Sequence, residues 1–426
     1  MANTTVSKIL GIAITAICIA STPVFSADWP NFHGPDRTNK SRETGLLRQW
    51  STGGPRLLWT ASGIGKGYSG ATTSDGIVYT AGAVDNIQYV FAFDAGNGRQ
   101  LWRTQAGRGW EGWDGRSRAY EGSRGTPTVD PAGNTVYYLS DIGYLIALDA
   151  KTGARKWSVD IAKKYDADVP KYAYSESPFI RGDRLYVSPY GRKASVVSLD
   201  KRTGNEIWAS PAFNTGNRTG DAGYTSFVFA ENSGFGQIMS HSSGFVYGMD
   251  AQTGRMLWSV PWKNRMEDNC TDVTFHDGYV FTSGGYGEGS MLVKLSRDGN
   301  GVKAEEVYRT KLMDNHHGGV ILHNGYIYGS GHNSRGWFCL DFRTGRQMWN
   351  APGKGSITFA DGMLYFYDEE GTMSLVRAQP DRFELVSSFE VPEGGRGAYW
   401  AHPVVSNGVL YLRHANNLYA YDIKNR

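Results

Sequence analysis

A short phrase that recurs at near-regular intervals, brief alternating strands joined by Asp-Gly and Asn-Gly turns, and an abundance of Gly and aromatic residues predict an all-β fold. The specific expectation is an eight-bladed β-propeller of four-stranded antiparallel blades. The phrase is apolar-Asp-x-x-x-Gly-x-x-x-Trp. It is complete from Phe93-Asp94 to Trp102, Leu148-Asp149 to Trp157, Leu199-Asp200 to Trp208, Met249-Asp250 to Trp258 and Leu340-Asp341 to Trp349, and truncated at Tyr421-Asp422. Successive Asp positions are separated by 55, 51, 50, 91 and 81 residues. The last two intervals are each about twice a four-strand unit of ~45 residues, so each hides an eroded copy. These copies are Leu295-Ser296-Arg297-Asp298-Gly299 leading to Tyr308, and Leu375-Val376-Arg377 leading to Phe389.

Each unit has the same grammar. Small residues such as Gly70-Ala71-Thr72-Thr73 precede a two-residue turn, Asp75-Gly76, and then the strand Ile77-Val78-Tyr79-Thr80. Equivalent turns stand at Asp277-Gly278, Asn324-Gly325, Asp361-Gly362 and Asn407-Gly408. Both residues of such a turn need positive φ, which these pairs tolerate. A third strand ends at the repeated Asp, and a fourth, outer strand carries the Trp. The last unit lacks its outer strand, whereas Leu57-Leu58-Trp59 is an outer strand with no unit before it. That N-terminal strand is expected to complete the last blade and close the ring. The repeated Trp should pack flat between blades with its indole N–H on a backbone carbonyl, making Trp59, Trp102, Trp157, Trp208, Trp258 and Trp349 structural.

Residues 1–26 read as a signal peptide: Lys8, the apolar run Ile9 to Ala20, then small residues at Val24 and Ser26 before Ala27. Cys18 lacks a lipobox context. Residues 27–56 read as an N-terminal extension and 57–426 as a single propeller. The protein should be periplasmic or secreted, without a membrane span, and monomeric. With 44 basic and 41 acidic residues and no basic run, nothing points to nucleic acid. Cys270 and Cys339 are expected as separate thiols, with a disulfide as the alternative in an oxidising compartment.

The residues entering the innermost strand of each blade occupy equivalent positions around the central channel, so their side chains should converge. They include Lys66, Tyr68, Arg124, Tyr174, Glu176, Tyr224, Asn269, Asp272, His316, His317, Lys354, Trp400 and His402. This ring is rich in titratable groups, and polar groups converging in a concavity suggest a ligand site at the funnel mouth. The plainer readings are a wet ion pair between Lys354 and Glu176 and a hydrogen-bonded core role for His317. A zinc site from His316, His317 and His402 is disfavoured, because adjacent residues on a strand point to opposite faces. The connection from Gly107 to Glu121 exceeds the repeat, and its Trp110, Trp113 and Tyr120 suit a sugar ring or a partner surface, or simply pack the loop down. The connection from Lys163 to Lys171 is a second, more polar candidate.

The Asp-x-x-Thr-Gly-x-x-x-Trp phrase resembles the tryptophan-docking repeat of pyrroloquinoline quinone (PQQ) propellers, over nearly the whole chain after residue 26. Asp28-Trp29-Pro30-Asn31-Phe32-His33-Gly34-Pro35-Asp36-Arg37, with Asn315-His316-His317-Gly318-Gly319 and Gly353-Lys354-Gly355-Ser356, is similar to exported quinoprotein-like propellers. The resemblance implies one of two roles. The first is a ligand- or partner-binding module of the cell envelope, with a small molecule, sugar or envelope protein bound at the funnel face. The alternative is a PQQ- and calcium-dependent alcohol or sugar dehydrogenase, in which His316 or His317 would accept the proton and Glu176 and Asp272 would ligate Ca²⁺. The adjacent-cysteine disulfide that caps the quinone in many such enzymes has no counterpart here.

Overall fold

The computed structural model describes Met1 and residues 27–112, 121–216 and 221–426. Residues 2–26 of the segment read above as a signal peptide, Trp113 and Tyr120 lie outside them. Eight four-stranded antiparallel sheets follow one another around a ring. In chain order their innermost strands are Thr72–Ser74, Thr128–Asp130, Phe179–Arg181, Val228–Asn232, Thr274–His276, Val320–His323, Gly355–Ala360 and Val404–Ser406. These give the blades their numbers, one to eight. The predicted turns form as expected: Asp75, Asp277, Asn324, Asp361 and Asn407 all have positive φ. Blade eight is closed from the other end of the chain, as Arg56–Ser62 pairs antiparallel with Asn417–Asp422. Arg56 ties the seam further, with Nη2 2.8 Å from Asp422 Oδ2.

The indoles join one blade to the next. Trp59 Nε1 donates to Ala95 O (2.9 Å), Trp102 to Ala150 O (3.1 Å), Trp157 to Lys201 O (3.1 Å) and Trp208 to Ala251 O (3.2 Å). Each acceptor lies in the Asp-to-Gly turn of the following blade. The Gly of that turn makes room for the ring: a Cβ at Gly153 would stand 2.6 Å from Trp102, and one at Gly254 2.5 Å from Trp208. The two eroded copies change this contact. Trp258, facing blade five, donates instead to Gln237 Oε1 of its own blade (2.8 Å). The equivalent turn of blade five stands at the tip of a hairpin of two ten-residue strands, Gly289–Asp298 and Gly301–Thr310. Tyr308 takes the Trp position of blade five and donates to Phe342 O (3.1 Å). Phe389 takes that of blade seven, and packs against Trp50 and under Gly54, both from the N-terminal extension.

The extension also enters the channel. It arrives at the face carrying the Asp-Gly turns, where Asp28 accepts from Asn407 Nδ2 (3.1 Å). Trp29 exchanges backbone hydrogen bonds with Thr73, and Pro30 O accepts from Val129 N–H (2.8 Å). Arg37, buried, donates to Phe227 O (3.1 Å) and Pro178 O (2.9 Å) of blades four and three. Asn39 donates to Ile357 O of blade seven and Ser41 N–H to Phe359 O (2.7 Å). The chain then leaves by the same face, with Leu46 N–H on Asp361 Oδ2 (3.0 Å). Residues 28–41 therefore plug the channel by satisfying inner-strand backbone groups.

A matched pair of glycines tests the indole contact. Gly76 and Gly153 share a φ near +75°, but only at Gly153 would a Cβ meet an indole. Gly76→Ala should cost about 1 kcal/mol, the price of the left-handed backbone alone. Gly153→Ala should cost about 3 kcal/mol or more, because Trp102 must also move. Urea unfolding of both variants measures the difference.

Candidate functional site

The ring residues sit in the loops that lead into the innermost strands, a few residues before each strand begins. On the face opposite the Asp-Gly turns these loops surround a cavity of about 470 Å³. Tyr68, Trp110, Arg124, Tyr224, Asp272, His316, His317, Trp400 and His402 all line it. The floor is Phe32 of the plug, whose ring meets that of His402 at 5.0 Å. The channel is thus a blind funnel. Side chains from every blade except the seventh contribute to its wall.

Five predicted residues are placed elsewhere. Lys66 is exposed at the rim, with Nζ 2.7 Å from Glu121 Oε2. Tyr174 is buried and donates to Pro189 O (2.9 Å). Asn269 is buried and donates to Ser242 O (2.8 Å). Glu176 is buried behind the wall and accepts from Ser188 N–H (2.6 Å). Lys354 pairs with Glu369 (3.1 Å), not with Glu176, which belongs to the far side of the ring. His316 and His317 do not diverge as strand neighbours would. They occupy a bend before Val320, and their Nδ1 atoms approach to 3.2 Å. Cys270 and Cys339 are separate thiols.

Eight lining residues were not chosen from the sequence as site residues: Phe32, Tyr172, Ser175, Ser226, Asp268, Cys270, Tyr286 and His332. Ser175, Ser226 and Asp268 lie within four positions of residues that were chosen. Tyr172 ends the polar connection already singled out. Tyr286 and His332 come from loops between second and third strands, which reach the same face, so the topology held a signal for them. Phe32 had none, because the extension carries no repeat.

Buried charge is arranged in pairs and relays. Asp272 Oδ1 accepts from Ser226 N–H (2.8 Å), and its Oδ2 is 3.4 Å from His33 Nδ1. His33 Nε2 is 3.2 Å from His402 Nδ1, and His402 Nε2 donates to His317 O (2.8 Å). Burial pushes the His402 pKa well below its usual value, so the ring is neutral. With its Nε2 proton committed to a carbonyl, His402 presents Nδ1 as an acceptor to His33 Nε2 (3.2 Å) and Asn39 Nδ2 (3.4 Å). His316 is likewise held neutral, by burial and by the nearby His317, His332 and Lys354. Glu369 behaves in the opposite way: burial would raise it, but His317 (3.2 Å) and Lys354 hold it down at about 2.

The side chains proposed for calcium do not fit that ion. Ser226 N–H occupies Asp272 Oδ1 and Ser188 N–H occupies Glu176 Oε1, while Asp272 Oδ2 and Glu176 Oε2 have no hydrogen-bond partner among the described residues. The Arg37 guanidinium already supplies positive charge to both. Burial pushes Glu176 up to about 8, which leaves it protonated at neutral pH, whereas calcium requires ionised oxygen donors. Among the described residues no group of three or more His, Cys, Asp or Glu side chains is arranged to hold a metal. Among them, too, no helix is long and apolar enough to cross a membrane.

Fold and site together define an eight-bladed, repeat-built propeller with an N-terminally plugged funnel. The chain belongs to the family described as outer membrane protein assembly factor BamB, whose model matches residues 86–351, more than half its length. Its repeats are of the PQQ type. BamB from Moraxella catarrhalis superposes with a TM-score of 0.60 at 14% identity, covering 87% of this chain and 100% of that one. A quinohemoprotein alcohol dehydrogenase from Comamonas testosteroni gives 0.62 at 13%, covering 94% and 81%. In sequence, the chain is 26% identical over 231 residues to quinohemoprotein alcohol dehydrogenase ADH-IIG of Pseudomonas putida, and 29% identical over 139 residues to a quinoprotein ethanol dehydrogenase of Pseudomonas aeruginosa. These matches cover 47% and 30% of this chain, and only 30% and 21% of the two enzymes.

Glu176 makes stability depend on pH in a defined direction. Its ordinary value of 4.5 rises to about 8 on folding, so between those values the folded state binds more proton than the unfolded chain. Its contribution is complete below about 4.5 and is lost as pH rises through about 8. His316 and His402 act in the opposite sense, so the comparison of interest is with Glu176→Gln. That variant should gain melting temperature relative to the wild type as pH is raised from about 5 to about 8.5. A constant difference would show that Glu176 does not titrate in this way.

Proposed function

We propose that this protein is an exported, ligand-binding propeller of the cell envelope, and that its ligand occupies the blind funnel above the plug. The observation that carries this reading is the funnel itself. Aromatic walls, neutral imidazoles and carboxylates from seven blades and the extension converge on a cavity of about 470 Å³, a volume suited to a small molecule. Strain supports it as well. Tyr224 and Tyr286, both lining the cavity, have φ of 63° and 59°, a left-handed backbone that costs bulky residues about 1 kcal/mol or more and is concentrated at functional sites. Export to the periplasm or medium rests on the signal-peptide reading of residues 1–26.

The names of the curated relatives favour a second reading, a quinone-dependent dehydrogenase. Against it stand the burial that favours a protonated Glu176, the Ser226 N–H on Asp272, and the buried Arg37 guanidinium that already supplies positive charge nearby. Titration with PQQ, with and without Ca²⁺, separates the two. Ligand binding at the funnel should be independent of Ca²⁺ and should weaken at least tenfold in Trp400→Ala. Micromolar PQQ binding that requires Ca²⁺ and disappears in Glu176→Gln would overturn the first reading in favour of the second.

A further inference from the structure

One corner of the funnel has a chemistry of its own. Asp268 lines the cavity and is 3% exposed, and its Oδ1 has no hydrogen-bond partner among the described residues. Its Oδ2 is 4.0 Å from His316 Nε2. Of the other charges lining the wall, Arg124 has Asp141 at 3.8 Å and the Trp110 ring at 4.7 Å, and Asp272 accepts from Ser226 N–H and stands 3.4 Å from His33 Nδ1. Asp268 instead faces a neutral imidazole, with Lys171 adding positive charge to its surroundings and Asn264 helping to stabilise the ionised form. Burial nonetheless pushes its carboxyl up to about 7. A carboxylate this deep, with one oxygen lacking a hydrogen-bond partner, is costly, and a positive ligand would relieve that cost.

Aromatic rings stand around it. The Tyr224 hydroxyl lies close enough to feel the charge of Asp268, and it accepts from Tyr172 N–H (3.4 Å). The Tyr172 and Tyr224 rings are 5.8 Å apart. Tyr286 meets His316 edge-on at 5.0 Å, and His332 at 4.5 Å. A buried carboxylate in a cavity lined by aromatic rings attracts a cation whose surface is partly hydrocarbon, more than a hydrated metal ion or an anion.

We propose that the Asp268 corner of the funnel receives a small organic cation, an alkylammonium or quaternary ammonium group, held by the Asp268 carboxylate and walled by Tyr172, Tyr224 and Tyr286. The inference rests on the funnel being a ligand site and names the class of ligand it takes. Binding ionises Asp268, so near neutral pH the complex forms with release of a proton.

The test uses the full mature chain with choline and its uncharged isostere 3,3-dimethyl-1-butanol, followed by calorimetry in two buffers of different ionisation enthalpy. Choline should bind at least tenfold more tightly than the alcohol, and proton release should appear as a buffer-dependent heat. Asp268→Asn should abolish both the preference and the buffer dependence. Tyr172→Ala, at a half-buried position that the fold tolerates, should weaken choline severalfold without restoring the alcohol. Equal binding of choline and alcohol, or unchanged choline affinity in Asp268→Asn, overturns the proposal. A parallel thermal-shift panel of polyols, planar carboxylates and amines distinguishes the levels. Stabilisation by a neutral or anionic compound but not by amines rejects the cation and keeps the funnel as a ligand site; no stabilisation by any class rejects both.

Discussion

An indole can lie flat on a neighbouring turn only where that turn carries no side chain. This constraint, met by Gly98, Gly153, Gly204 and Gly254, fixes the spacing between consecutive blades. The spacing fixes how many blades complete the circle, and the circle fixes a channel too wide to be filled by its own inner strands. Those strands are short, and their inward backbone groups need partners. The extension supplies them with Trp29, Pro30, Arg37 and Asn39. The funnel is the part of the channel that the plug leaves open.

Where the indole contact is lost, the molecule compensates locally. Blade five lengthens its outer hairpin and substitutes a tyrosine whose hydroxyl reaches the next turn. Blade seven substitutes Phe389, which has no hydrogen to donate, and the extension packs Trp50 onto it from outside. The extension thus serves the ring twice, once from within the channel and once at the weakest of its interfaces. Both roles depend on side chains that the repeat does not contain.

The fold was legible because it is periodic. The Asp intervals betrayed two eroded copies, and the orphan strand at Trp59 announced the closure of the last blade. Much of the funnel was legible for the same reason: equivalent positions in a ring must converge, and Tyr68, Arg124, Tyr224, His316, His317, Trp400 and His402 do. Equivalence gives the radius, however, and not the depth. Glu176 and Asn269 turn into the body of their blades while their neighbours Ser175 and Asp268 face the cavity, a difference of one residue that periodicity cannot resolve. Lys354 was matched with the wrong acid because its true partner, Glu369, lies in its own blade outside the equivalent set. Phe32, His33 and Arg37 were invisible as site residues because they bind backbone carbonyls and single side chains of distant blades, and such contacts leave no pattern in sequence.

The seam of blade eight joins Arg56 to Asp422 across 366 residues, and the plug threads between strands from both halves of the chain. No intermediate lacking the final strand can hold either in place. Closure therefore carries a large loop-entropy cost, because it joins residues from opposite ends of the chain. Until it happens, the terminal blades present open sheet edges to their surroundings. A chain of this design is most exposed to aggregation and proteolysis before its two ends have met.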